Sequence, residues 1–284
     1  MDLNQLILAL QFSLSPDKEV RINAENSLNK AQILPGYSQG LLKLGYDDSL
    51  NLNLDIRQLS LVLLKNFIKR YWKENQDRSL ENSSIGDNFI INEQEKLFLK
   101  ENIFLFLCKS SSKQLMSQVE EIIGIIGESE FPSQWQQIIP QIKEGLNSKL
   151  EIPTIAALNS IYRLSKIYQY RIGQKREPLK IIINEFLPIL LNLTSTLNLQ
   201  EIDEKKAIYL RPIFKTILSS LQMDLPELFR NMKIIESWIN IEQTIMNSVL
   251  PSELEIFTEE DEVISTRIKF KSWQLKKTIM RWTR

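Results

Sequence analysis

The sequence predicts an all-α protein: an α-α superhelix, built as a right-handed solenoid of about six helix pairs. Three observations predict it. Apolar residues recur at the three-and-four spacing of helices through nearly the whole chain, and no segment alternates with period two for long enough to demand a sheet. One spacing returns at the start of the second helix in each of the first three pairs. It reads Val20-Arg21 with Ala24 and Leu28, Ile56-Arg57 with Ser60 and Leu64, then Leu115-Met116 with Val119 and Ile123, where the arginine is lost. Pair starts lie roughly 35 to 55 residues apart, the interval of helical-repeat arrays. A lone pair cannot bury its apolar face, so such units must stack on their neighbours, and stacked units offer extended surfaces suited to binding.

Each element follows from local pattern. Leu3, Leu6, Ile7, Leu10 and Leu14 make the first amphipathic helix. Ser15-Pro16-Asp17 breaks it and supplies a cap, and a second helix runs to about Ala31 before Pro35-Gly36. A third covers 37–46, and a fourth, the most apolar of the early ones, covers 53–72. Residues 74–92 are rich in Asn, Ser, Gly and Asp and read as a long surface loop. Helices resume at 93–109 and 113–128. Phe131-Pro132-Ser133 is expected to start the next helix, reaching Asn147, with a partner over 153–170. A basic linker at 171–176 precedes a helix over 178–197 that Pro188 should kink. Helices over 203–222, 226–249 and 263–284 complete six HEAT-like pairs. The last ends at Met280-Arg281-Trp282-Thr283-Arg284 without a polar capping repeat, so the reading expects a truncated chain or the N-terminal portion of a longer protein.

Composition narrows the function. Among 284 residues, 43% are hydrophobic and 25% charged, as in ordinary soluble proteins. Lys plus Arg equals Asp plus Glu at 35 each, so no whole-chain field draws in nucleic acid or anionic membrane. There is no histidine, which excludes Ser-His and Cys-His hydrolase mechanisms and His-ligated metals within the chain. The one cysteine, Cys108, cannot build a disulfide or a zinc site and reads as a buried hydrophobe. No stretch approaches the ~20 apolar residues of a membrane span. The expectation is therefore a cytosolic or nuclear protein with no catalytic residues, no cofactor and no metal. Trp72, Trp135, Trp238, Trp273 and Trp282 are expected to pack between repeats.

Several segments resemble one family. Ala24-Glu25-Asn26-Ser27-Leu28 closes the first pair, and Asp55-Ile56-Arg57-Gln58-Leu59 runs into Leu63-Leu64-Lys65-Asn66-Phe67-Ile68 and Tyr71-Trp72. This is similar to the start of the importin-β N-terminal domain. Phe131-Pro132-Ser133-Gln134-Trp135, with Ile138-Ile139-Pro140, resembles that family's aromatic-Pro-x-x-Trp element. Tyr162-Arg163-Leu164-Ser165-Lys166, Phe186-Leu187-Pro188-Ile189-Leu190 and Leu225-Pro226-Glu227-Leu228 resemble its importin-seven/importin-eight branch. The 74–92 loop departs from the pattern.

The resemblance implies a nuclear transport receptor, shuttling between cytoplasm and nucleus through the pore. It would bind the GTP-loaded small GTPase Ran, nucleoporins and protein cargo. The chain is then one HEAT-repeat solenoid, with a Ran-binding region over about 1–109 and further repeats over 110–284. In this family the second helices clasp Ran, which marks Glu25 and Asn29, then Gln58, Lys65, Asn66 and Lys69, then Gln118 and Glu121. Lys65 and Lys69 would supply cationic donors and Asn66 a two-way amide. Gly124 and Gly127 are expected to permit close helix approach. Arg21 and Arg57 read as structural ties from a helix start to a neighbouring carboxylate or carbonyl. The acidic run Glu253, Glu255, Glu259, Glu260, Asp261 and Glu262 reads as a solvated loop, or as a surface for basic cargo such as ribosomal proteins or histones. An exportin-type receptor and a generic HEAT scaffold without Ran binding remain the alternatives.

Overall fold

The computed structural model of the chain describes residues 2–73, 89–110 and 112–248. Among them lie eleven α-helices linked by turns and short 3-10 segments, an all-α fold. The chain divides into two compact units, Met1–Ala156 and Ala157–Arg284.

The first unit holds α1 (Leu3–Ser13), α2 (Lys18–Ala31), α3 (Tyr37–Tyr46), α4 (Leu54–Tyr71), α5 (Glu93–Leu107), α6 (Lys113–Glu130) and α7 (Ile138–Asn147). Its boundary falls inside α8 (Glu151–Tyr168). Helix starts are set by local chemistry. Asp17 Oδ1 accepts from the amides of Glu19 and Val20 at 2.8 and 3.2 Å, and Asn53 Oδ1 from Ile56 at 2.9 Å. These acceptors satisfy amides that a helix start leaves orphaned. Helices α1 and α2, α3 and α4, and α5 and α6 pack as hairpins, while α1, α3, α5 and α7 stack in series and α4 lies against α6. First helix on first helix and second on second is the stacking of a helical-repeat array.

The repeated spacing proves to be the register of that stack. Ala24, Leu28, Ile56, Ser60, Leu64, Leu115, Met116, Val119 and Ile123 are all buried. Only Val20 departs, at 37% exposed. The two arginines do act as ties. Arg21 Nη1 donates to the Ser15 carbonyl at 3.2 Å, and Arg57 Nε to the Gly45 carbonyl at 3.0 Å. Each thus binds the second helix back to the end of the first. A neighbour also approaches Gly45 closely, since a Cβ there would sit 2.6 Å from Leu61 Cδ2. Gly124 is not so placed: nothing lies within 4 Å of the Cβ it lacks.

Two buried carboxylates join neighbouring repeats. Glu95, on α5, accepts from the Gly36 amide and from Asn92 Nδ2, both at 2.9 Å, and from the Ser38 hydroxyl. It therefore caps the start of α3, where negative charge meets the positive end of the helix dipole. Glu130, at the end of α6, accepts from Trp72 Nε1 at 3.1 Å and pairs with Lys100 Nζ at 3.0 Å. Lys100 supplies its own carbonyl to Trp135 Nε1 at 3.2 Å. Both tryptophans are buried, so the two family-like elements meet at one polar junction.

The segment after Phe131 differs from expectation. It forms turns, and α7 begins only at Ile138. Phe131 is extended (ψ 139°), as a residue before proline prefers, and the fully buried Trp135 is held outside helical geometry by its bond to α5.

The second unit holds α9 (Glu177–Ser195), α10 (Glu204–Ser220) and α11 (Met232–Asn247), with 3-10 turns at Gly173–Arg176 and Glu227–Arg230. Helix α9 packs on α10 and stacks on α11, repeating the scheme. The Phe214 and Trp238 rings meet edge-on at 6.5 Å. Helix α9 carries Pro188 within one uninterrupted helical assignment. The 226–231 stretch is a 3-10 turn rather than helix, and Asn231 caps α11 through the Lys233 amide at 3.0 Å.

Segment 171–176 is no open linker. Arg176 is 4% exposed; its Nη1 donates to the Gln169 carbonyl at 2.9 Å and its Nη2 to the Ser220 carbonyl at 2.6 Å. Longer bonds, at 3.4 Å, reach the Tyr168 and Arg171 carbonyls. One guanidinium thus closes the ends of α8 and α10, where orphan carbonyls and the negative end of the dipole both favour a cation.

Candidate partner-binding face

The face belongs to the second helices of the first unit. Helix α4 buries Ile56, Ser60, Leu61, Leu64, Phe67, Ile68 and Tyr71. That stripe leaves Gln58, Lys65 and Lys69 on one flank, at the four-, three- and four-residue steps that keep side chains aligned with Val62 between them. Gln58 and Lys65 are half-buried, while Asn66 and Lys69 are exposed. Helix α6 buries Leu115, Met116, Val119, Ile122, Ile123 and Ile126, leaving Gln118 and Glu121 half-buried one turn apart. On α2, Glu25 and Asn29 are exposed, and Asn29 Oδ1 accepts from Gln32 Nε2 at 3.1 Å.

The structure brings two of these residues together. Lys65 Nζ lies 2.8 Å from Glu121 Oε2, joining α4 to α6. Gln118 presents the opposite situation, with its side-chain oxygen buried and without a hydrogen-bond partner among the described residues. A buried acceptor left unmet costs about 1–3 kcal/mol. Sequence reasoning marked both Lys65 and Glu121 but missed their pairing, since 56 residues separate them and only the packing of α4 on α6 sets the match. The acidic run at 253–262 and the 74–88 segment lie outside the described residues, as do Trp273 and Trp282.

Among the described residues no three His, Cys, Asp or Glu side chains group as metal ligands, and no helix is long and apolar enough to cross a membrane. Cys108 is only partly covered, yet burial pushes its thiol up to about 11, with Glu144 adding to the effect, which favours the neutral thiol at neutral pH.

The fold is that of a helical-repeat array. Comparison with known proteins makes the class specific. Residues 24–109 match the importin-beta N-terminal domain. Human importin-8 is 27% identical over 275 residues, 97% of this chain and 26% of that protein. Exportin-2 of Drosophila melanogaster is 27% identical over 240 residues, 81% of this chain and 23% of that protein. Among solved structures, the exportin Cse1 in its cargo-free, cytoplasmic state superposes with a TM-score of 0.80 at 19% identity, covering 98% of this chain and 29% of that one. Residues 24–109 thus match the importin-beta N-terminal domain, and nearly the whole chain resembles the N-terminal part of importin-8 and of a probable importin-7 homologue. It spans about a quarter of the length of these relatives.

Proposed function

We propose that this chain is the Ran-binding segment of a nuclear transport receptor, gripping GTP-loaded Ran on the second helices α2, α4 and α6 and performing no chemistry of its own. The observation that carries the proposal is the coincidence of two independent features. The importin-beta N-terminal match covers 24–109, and in that stretch α2 and α4 expose polar residues, with α6 packed against α4 just beyond it. The contact surface comprises Glu25, Asn29, Gln58, Asn66, Lys69 and Gln118, with Lys65 and Glu121 beside them. Region 1–109 supplies the principal grip and 110–284 extends the solenoid. A pull-down with Ran bound to a non-hydrolysable GTP analogue, against Ran·GDP, tests this. Capture of the GTP form alone supports it, and equal or absent capture removes it.

In the import reading, Ran binding and cargo binding oppose each other, and the receptor shuttles between cytoplasm and nucleus by way of nucleoporins. Basic cargo such as ribosomal proteins or histones would be drawn to Glu255, Glu259, Glu260, Asp261 and Glu262. Neutralising them should slow association at low salt. The likeness to exportin-2 and to Cse1 favours a second reading, export, in which Ran and cargo bind together. The sign of the coupling between the two ligands separates these readings. A scaffold without Ran affinity is what a failed pull-down would leave.

A further inference from the structure

From the pairing of α4 with α6 we infer that Lys65 and Glu121 are positioning residues: a clamp that fixes the spacing of the groups meeting the partner, rather than contacts to the partner itself. The inference deepens the Ran reading and rests on it for its binding arm. Helix α4 belongs to the second repeat and α6 to the third, and the two pack directly. Across that seam the ammonium and carboxylate meet at 2.8 Å, with the side chains 22% and 39% exposed. That cover reduces screening by water, and the short contact uses the charge that Lys65 would otherwise offer outward.

The exposed cation Lys69 lies one turn beyond Lys65 on α4, with the amide of Asn66 next to it. Gln118, one turn before Glu121 on α6, holds a buried side-chain oxygen with no partner among the described residues. The ion pair adds a directed polar contact to the apolar packing of α4 on α6. Lys69, Asn66 and Gln118 then form the recognition set, and the distance between the α4 members and the α6 member is set by the clamp.

Charge reversal tests this on the whole chain. Lys65→Glu, Glu121→Lys and the double swap are compared by thermal unfolding and by titration with Ran bound to a GTP analogue. Each single reversal places like charges across the seam, and we expect affinity to fall about tenfold with a lowered unfolding temperature. The double swap restores opposite charges and should return affinity to within about threefold of the unaltered chain, with most of the lost unfolding temperature. A double swap as weak as Lys65→Glu alone, or single reversals that leave affinity unchanged, overturns the clamp. If the unaltered chain binds no Ran, the parent reading falls instead. The unfolding data then decide the clamp alone: non-additive changes uphold it, additive ones sink it.

Discussion

The two units close their helix ends by opposite means. In the first, the junction at Glu130 is assembled from four side chains scattered along the sequence. Trp72 and Lys100 converge on the carboxylate, and Trp135 hangs on the Lys100 carbonyl. In the second, Arg176 closes α8 and α10 by donating to backbone carbonyls. The carboxylate junction couples α4, α5, α6 and the 131–137 turn, so damage at one residue spreads to several elements. The guanidinium junction depends on one residue's reach and planar fork, and hardly on what its neighbours are. Burial holds the Arg176 pKa below the usual arginine value, the cost of a cation placed among carbonyls, with Asp224 acting in the opposite direction.

The contrast is sharpened by substitution. Glu130→Ala should cost the most, about 3–5 kcal/mol in chemical denaturation, because the mostly covered Lys100 loses its carboxylate, keeping only the Gln134 carbonyl, and Trp72 loses its acceptor. A loss under 1 kcal/mol would mean that water fills the gap and the junction is not coupled. Arg176→Leu should cost about 2–4 kcal/mol by exposing the carbonyl ends of α8 and α10 to an apolar neighbour. Arg176→Lys should recover less than half of that, since one ammonium cannot span both helix ends. Full recovery would show that charge, not the fork, closes this unit. Asp17→Ala removes only a local cap and should cost about 1 kcal/mol, read as faster amide exchange at the start of α2.

The smallest effect concerns Cys108. Its folded pKa is raised, so the folded state favours the neutral thiol. The stability contributed is complete below the free thiol's value and is lost as pH rises through about 11. Alkylation by iodoacetamide should stay slow at pH 7.5 and accelerate only towards that pH. Fast reaction at neutral pH would contradict the burial.

Helix identity was legible because its causes are local. Capping by Asp17 and Asn53 and the three-and-four apolar stripe lie within a few residues of one another. The recurrent spacing was legible as well, and Arg21 and Arg57 bond to carbonyls as that spacing suggested. What stayed hidden depends on register between helices. Glu95 reaches Gly36 and Ser38, Lys65 meets Glu121, and Arg176 finds Ser220, each across dozens of residues. Gly124 was misread for the same reason. A glycine marks close approach only where a neighbour arrives, and Leu61 arrives at Gly45 instead. Phe131-Pro132 was read as a helix start because proline suits a first turn, but Trp135 needed a turn that delivered its indole to α5.

The claim on which the functional account turns is that the second helices, not the first, meet Ran. Hydrogen–deuterium exchange of the chain, with and without Ran bound to a GTP analogue, reads this directly. Added protection is expected in α2, α4 and α6, with α1, α3 and α5 unchanged. Protection confined to the first helices, or none at saturating Ran, would contradict it.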